Sequence, residues 1–264
     1  MPPEPVCRHL AYLGPPSDLA TLLLAPPHSL LRQSYAPLDM RGGGTINADG
    51  FGAGWYPDGA ATPIRYRRAV PFWTDATFAA LATEVRSGAV LAAVRSATVG
   101  MPIADTACAP FGTGRWLFSH NGRVAGWPDS MAALARRLPV TDLLTLEAAT
   151  DSALLWALVR SRLAAGESPS CAVGTVAAQV LACAPDSRLN LLITDGTVIA
   201  ATTVHHALAV RAGDGAVLVC SEPTDPSADW EPVPDRHLLT ATPSTVDVVP
   251  IPPTARDTTF TEEP

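Results

Sequence analysis

Cys7-Arg8-His9-Leu10-Ala11-Tyr12-Leu13-Gly14 decides how the chain reads. A thiol is followed by alternating polar and apolar residues, the pattern of a short strand with one buried face. A cysteine just ahead of such a strand is held on a rigid element. Before it lie Met1-Pro2-Pro3-Glu4-Pro5-Val6. This stretch has three prolines, no basic start and no apolar run, so it reads as neither strand nor signal peptide. Without those residues Cys7 would carry a free α-amine beside its thiol, a nucleophile with a built-in base. An α-amine has a pKa of about 7.7–8.0 and a thiol of about 8.5, so proton transfer between them costs little near neutral pH. The competing reading is a buried apolar cysteine.

Composition narrows the function classes. The chain has 264 residues, enough for a sizeable core, and 47% of them are hydrophobic. Net charge is −7 and all 18 basic residues are arginine. The lack of lysine excludes a Schiff-base lysine and a P-loop lysine. The acidic balance and the absence of a basic cluster argue against nucleic acid as a partner. The five cysteines, Cys7, Cys108, Cys171, Cys183 and Cys220, form no CxxC and point to reduced thiols and a cytoplasmic location. No zinc-type spacing occurs, so no metal is expected. No apolar run reaches the roughly 18 residues of a membrane span, so no membrane partner is expected.

Outward from the first strand, Pro15 to Asp18 reads as a turn ending in an N-cap, followed by a helix over Leu19–Leu24. The glycine run from Arg41 to Gly44 reads as mobile or as a place of close backbone approach. Gly50, Gly52 and Gly54 alternate with side chains, as in a strand closely approached by another backbone or by a ligand. Ile64–Ala69 is the returning strand. Asp75 caps a helix through Arg86, closed by Gly88. Ala89–Val94 is a buried strand ending in Arg95-Ser96-Ala97-Thr98, and Pro102–Gly114 is loop. Trp116-Leu117-Phe118 is a strand running into Ser119-His120-Asn121-Gly122. Helices are expected over 130–138, from Asp151 to about Ala165, and over 171–183. Three hairpins close the chain, the first of them around Asp195-Gly196. Strands at both ends with helices between them suggest two sheets covered by helices over residues 7–251, with 1–6 an extension and 252–264 a frayed tail.

Four features join Cys7 as candidate chemistry. Arg95, at the end of an apolar strand, needs a partner, either a substrate carboxylate or an internal acid. Asn121 and Gly122 offer an amide and a backbone N–H to a developing oxyanion, or else form a tight turn. Asp151 either holds a substrate ammonium or caps a helix. The glycine strand reads equally as close sheet packing. Nucleophile, oxyanion site, carboxylate clamp and ammonium acceptor together describe a site for a γ-glutamyl amide.

Cys7-Arg8-His9-Leu10, Asn47-Ala48-Asp49-Gly50, Arg95-Ser96-Ala97-Thr98, His120-Asn121-Gly122 and Asp151-Ser152 resemble, in order and rough spacing, the class II glutamine amidotransferases. That resemblance implies an α+β fold, the four-layer αββα sandwich of N-terminal-nucleophile hydrolases, and no cofactor. It implies Cys7 as nucleophile with its own α-amine as base, and Asn121 with Gly122 as oxyanion hole. Arg95 and Thr98 would bind the glutamyl carboxylate region and Asp151 its ammonium, with His120 a further substrate-binding residue. Cys7–Gly14, Pro26-Pro27-His28, Gln33–Pro37, Ala92–Ile103 and Pro234–Leu238 are similar to an ergothioneine-pathway branch of that family. Its members hydrolyse γ-glutamyl-hercynylcysteine S-oxide to glutamate and hercynylcysteine S-oxide. Many amidotransferases carry histidine where this chain has Ala93 and Val99, which favours a hydrolase over an ammonia-channelling enzyme. The extension before Cys7 departs from the family pattern, and either processing or initiation at Val6 would remove it.

A small-molecule γ-glutamyl substrate with a trimethylammonium leaving group calls for aromatic faces or a nearby carboxylate. Trp55, Trp73 and Trp116 are the aromatic candidates, against the commoner role of tryptophan in a core. Two other functions fit the same residues: a glutaminase-type subunit feeding ammonia to a separate synthase, and a non-catalytic γ-glutamyl-binding protein.

Overall fold

The computed structural model describes residues 6–40 and 46–252. Met1–Pro5, the Arg41–Gly44 run with Thr45, and the tail from 253 lie outside the described residues. In chain order the strands are β1 (Arg8–Asp18), β2 (Phe51–Trp55), β3 (Ile64–Arg68), β4 (Arg86–Val94), β5 (Phe111–Thr113), β6 (Trp116–Arg123) and β7 (Arg188–Thr194). They continue with β8 (Ile199–Thr203), β9 (Ala209–Gly213), β10 (Ala216–Cys220), β11 (Glu231–Pro232), β12 (His237–Thr242) and β13 (Thr245–Pro250). The helices are α1 (Leu19–Leu23), α2 (Leu30–Gln33), α3 (Ala76–Glu84), α4 (Ala132–Ala135), α5 (Val140–Leu144), α6 (Asp151–Ala164) and α7 (Pro169–Cys183).

Two antiparallel sheets result, one ordered β11-β9-β10-β1-β4-β2-β3 and the other β13-β12-β8-β7-β6-β5. Side-chain alternation builds the layers. On β1, Ala11 and Leu13 face the second sheet and pack with Leu117, Leu192 and Ala201. Leu10 and Tyr12 face the other way, into a core with Leu19 and Leu23 of α1 and Phe78 of α3. Behind the second sheet, Phe118, Leu191 and Ile193 pack against α6 and α7. The order is therefore helix, sheet, sheet, helix. No helix among the described residues is long and apolar enough to cross a membrane.

The glycine strand serves sheet packing. An added Cβ at Gly52 would stand 2.3 Å from the Ala109 carbonyl oxygen, and one at Gly54 2.7 Å from Leu117 Cδ1. Three local expectations need correction. Pro15–Asp18 is not a turn but the continuation of β1 across a bulge, because Ser17 and Asp18 still pair with Ser87 and Arg86. Asp18 nonetheless caps α1 by accepting from the Thr21 amide. The helix from Asp75 stops at Glu84, since Arg86 already pairs in β4 and Gly88 lies within that strand. The loop over 102–114 contains β5, which pairs Phe111 with Phe118.

Candidate active site

Antiparallel pairing brings the chemistry to one end of the sandwich. Arg8 stands opposite Val94, so Cys7 and Arg95 meet where β1 begins and β4 ends. The Cys7 Sγ lies 3.7 Å from the Ser96 carbonyl oxygen. The turn after Arg95 is held by Asp49, whose carboxylate accepts from the Ala97 amide at 2.8 Å. Burial pushes the Cys7 thiol above its ordinary pKa; Arg95 and Arg8 pull it back, and Asp151 adds to the rise. Both charged partners inferred for an amino-acid head thus act on the same sulfur. Arg95 donates to the Pro102 carbonyl at 2.9 Å, and no carboxylate pairs with it among the described residues.

Asn121 and Gly122 are not in a turn. They lie inside β6, paired with Asn190 and Leu189. Gly122 has φ +148°, and a Cβ there would sit 2.0 Å from the Arg188 carbonyl oxygen. Only glycine fits that backbone. β5 covers β6 only as far as Phe118, so the edge at Asn121–Gly122 has no strand partner on that side among the described residues. Asn121 crosses to the first sheet, its amide nitrogen donating to Ser221 Oγ at 3.1 Å. Ser221 is anchored to β1: its Oγ accepts from the His9 amide at 3.0 Å, and its own amide donates to the His9 carbonyl.

Asp151 is not the cap of α6; Thr150 is, accepting from the Ala153 amide. The Asp151 carboxylate is buried and accepts from the Val124 amide at 2.9 Å and the Ser152 amide at 2.7 Å. This ties the start of α6 to the chain just beyond Gly122. Between Asp151 and the turn after Arg95 lies a cavity of about 360 Å³, lined by Thr98, Met101, Arg123 and Trp127 among others.

His120 belongs to the other face of β6. Its Nε2 donates to the Arg188 carbonyl and its Nδ1 accepts from the Ser152 hydroxyl, both at 3.0 Å. Strand alternation turns it toward α6 while Asn121 faces the first sheet, so it supports the site from behind. The tryptophans are dispersed. Trp55 is buried in the helix-side core, four residues or about 13 Å along β2 from Phe51, which pairs with Val94. Trp116 lies five residues, about 16 Å, from Asn121 along β6 and carries the Arg115 guanidinium over its ring. Trp73 is 42% exposed and packs edge-on to Tyr35. None of the three lines the cavity beside Asp151.

Sequence reasoning missed Arg123, Trp127, Ser221 and, most of all, Glu222. Arg8 is 2% exposed, and its Nε donates to Glu222 Oε1 at 2.5 Å. The other Glu222 oxygen pairs with His28 Nε2 at 2.7 Å and accepts from the Leu38 amide at 2.8 Å. Arg8 also donates to the carbonyls of Val6, Cys7 and Asp39. Glu222 therefore clamps the strand that carries the thiol. Among the described residues no three His, Cys, Asp or Glu side chains converge as metal ligands.

Comparison with known proteins places this arrangement. The model of the class II glutamine amidotransferases matches residues 27–213. The chain is 43% identical over 246 residues to the gamma-glutamyl-hercynylcysteine sulfoxide hydrolase of Mycolicibacterium smegmatis, covering 93% of this chain and 100% of that one. Among solved structures, a glutamine aminotransferase class-II domain protein from Silicibacter pomeroyi superposes with a TM-score of 0.67 at 24% identity, covering 94% of this chain and 100% of that one. The glutamine phosphoribosylpyrophosphate amidotransferase of B. subtilis gives 0.62 at 13% identity, over 93% of this chain and 49% of that one. These last two share the fold, an αββα sandwich of the N-terminal-nucleophile type. With its sequence and its layers in agreement, the chain belongs to the class II glutamine amidotransferase family of enzymes.

Proposed function

We propose that the chain hydrolyses the γ-glutamyl amide of γ-glutamyl-hercynylcysteine S-oxide, releasing glutamate and hercynylcysteine S-oxide, with Cys7 as nucleophile. The observation that carries this is the convergence of Cys7, Arg95 and Asp151 at one end of the sandwich, in a chain 43% identical to a hydrolase of that name. The working enzyme begins at Cys7, after loss of residues 1–6. The freed α-amine takes the thiol proton as sulfur attacks the amide carbonyl carbon. The oxyanion is met by the Asn121 amide and the Gly122 N–H. Collapse expels the amine, which takes the proton back from the α-ammonium. Water then attacks the thioester, with the α-amine again as base, and releases glutamate. Arg95 and Thr98 serve the glutamyl carboxylate, and Asp151 its ammonium.

Asn121 must present N–H rather than C=O to the oxyanion. In the arrangement described above its Oδ1 is buried without a partner among the described residues, while Ser221 Oγ accepts from both Nδ2 and the His9 amide. A 180° turn of the amide leaves its shape unchanged. The Ser221 hydroxyl then donates to Oδ1, and Nδ2 faces the reacting carbonyl. Ser221 is thus a positioning residue for Asn121. Asn121→Ala is expected to lower kcat by about 10²–10³. Ser221→Ala is expected to lower kcat by about tenfold with little change in KM, and to add nothing in the Asn121→Ala background. A full additional loss in the double variant would refute the positioning role.

The test of function uses protein whose first residue is Cys7, verified by intact mass. It is expected to prefer γ-glutamyl-hercynylcysteine S-oxide to glutamine by a wide margin in kcat/KM. Equal rates on the two substrates would overturn the assignment.

A further inference from the structure

Pro234–Leu238 stands out in the sequence, yet no step of the reaction uses it. In the fold it lies beside the turn that leaves β8. His205, in that turn, has φ +64°, a left-handed conformation that a residue other than glycine adopts only where its surroundings impose it. Here the Asp235 carboxylate accepts from the His205 amide at 2.7 Å, and Arg236 Nη2 donates to His205 Nε2 at 3.3 Å. Asn190 grips the same turn from within the sheet. Its Oδ1 accepts from the Val204 amide at 2.9 Å, and its Nδ2 donates to the carbonyls of His206 at 3.3 Å and Ala207 at 2.9 Å. Asn190 is also the cross-strand partner of Asn121 between β6 and β7. The turn is thereby fixed against the strand position that carries the oxyanion donor.

The turn leaves His205 exposed and buries His206, which is 5% exposed. His206 and Asn121 line one narrow cavity of about 10 Å³, the lower limit for a single water. Val6, which is bonded to Cys7, lines it too, so loss of residues 1–6 opens this side of Asn121. His206 Nε2 and Asn121 Oδ1 both lack a hydrogen-bond partner among the described residues. Buried polar atoms are normally satisfied, so two orphans on one small space point to each other. The other polar side chains there are engaged: Arg8 by Glu222, and Ser221 by Asn121 and the His9 amide. Asp39 has a partner as well. His9, whose Nε2 is likewise unpartnered among the described residues, does not line this space.

Turning the Asn121 amide by 180° resolves both. Its Oδ1 then accepts from the Ser221 hydroxyl, and Nδ2 brings two hydrogens to the place that Oδ1 held. One of them serves the oxyanion, and the other needs an acceptor. We propose that His206 Nε2 is that acceptor, directly or through one water, and that His206 is a positioning residue which holds the Asn121 N–H groups toward the reacting carbonyl. The imidazole then carries its hydrogen on Nδ1. Burial first, and then the Arg188 and Arg8 charges, push the His206 pKa down to about 3, so the ring is neutral and Nε2 keeps its lone pair near neutral pH. The opposite tautomer would donate from Nε2 to Oδ1 and hold the wrong end of the amide toward the site. The proposal rests on the reading of Asn121 as an oxyanion donor.

Protein beginning at Cys7 tests it. His206→Leu removes the acceptor at similar volume, and His206→Gln puts one back. His206→Leu is expected to lower kcat by about threefold to tenfold, the scale of one hydrogen bond, with KM nearly unchanged. It should add nothing in the Asn121→Ala background, and His206→Gln should recover most of the loss. Simple loosening of the core would not be repaired by a polar glutamine. A second measurement needs no variant to fold. The ¹⁵N spectrum of wild-type protein labelled in its histidine rings should show His206 Nε2 bare and Nδ1 carrying the hydrogen. A hydrogen on Nε2 would overturn the proposal. So would a folded His206→Leu protein with wild-type kcat, or a full further loss in the double variant. Wild-type kcat in folded Asn121→Ala protein would instead overturn the reading of Asn121 itself, and the role of His206 with it.

Discussion

Cys7→Ala protein beginning at residue 7 keeps the wild-type Tm and loses turnover by at least about 10⁴-fold, the scale on which removal of a nucleophile acts. The side chain is half-buried and, among the described residues, the hydrogen bond of its sulfur is a long one to the Ser96 carbonyl oxygen, so alanine removes little packing. Under the proposed roles Arg95, Thr98 and Asp151 are untouched, so substrate is expected still to bind while the covalent step is lost. Protein that retains residues 1–6 shows the same loss for another reason, because its Cys7 nitrogen is an amide and accepts no proton. Burial pushes the thiol up, so little thiolate forms unaided near neutral pH and the base is required. The α-amine accepts a proton only when it is itself unprotonated. Turnover of the wild-type protein therefore falls as pH drops below an ordinary α-amine pKa of about 7.7–8.0. Acid quench followed by mass spectrometry should find a γ-glutamyl thioester on wild-type Cys7 and none on the variant. Wild-type rates in folded Cys7→Ala protein would end the nucleophile assignment.

Glu222→Ala loses about 3–5 kcal/mol of stability, the usual effect of removing one partner of a buried ion pair. Arg8 is left as a buried guanidinium with only carbonyls to meet it, and His28 and the Leu38 amide lose their acceptor. At this chain length each kcal/mol moves Tm by about 2–4 °C, so a fall of about 6–20 °C is expected. Limited proteolysis should then cut first near Leu38, whose amide the carboxylate holds. The residue also sets an acid limit. Burial alone would raise the Glu222 carboxyl, but the hydrogen bond from His28, the Arg8 charge and the Leu38 amide outweigh it and hold the group at about 2. A carboxyl lowered on folding contributes stability that is fully present above its ordinary value of 4.5 and is lost as pH falls through about 2. Wild-type stability should decline across that window, and Glu222→Gln should flatten the decline. A Glu222→Ala protein within about 2 °C of wild type would show that the clamp is unimportant.

Local patterns carried much of this protein. Alternation in Leu10–Leu13 suffices to divide β1 between two cores, because side chains on a strand point to opposite faces whatever surrounds them. Asp18 and Asp75 cap helices through their own backbone neighbours, and Asp195-Gly196 turns β7 into β8 with no distant help. The ordered motifs from Cys7 to Asp151 then pointed to the sandwich. Tertiary structure decided what depends on pairing across the chain. Asn121-Gly122 has the composition of a turn, yet β7 draws it into a strand, and the Arg188 carbonyl leaves no room there for anything but glycine. His120 and Asn121 are adjacent in sequence and opposite in direction, so one supports the site and the other reaches it. Trp55 and Trp116 are near a motif in sequence, yet lie about 13 Å and about 16 Å along their strands from Phe51 and Asn121. Arg8 and Glu222 are 214 residues apart, and no periodicity links them. Only the pairing of β1 with β10 brings the two charges out of water together.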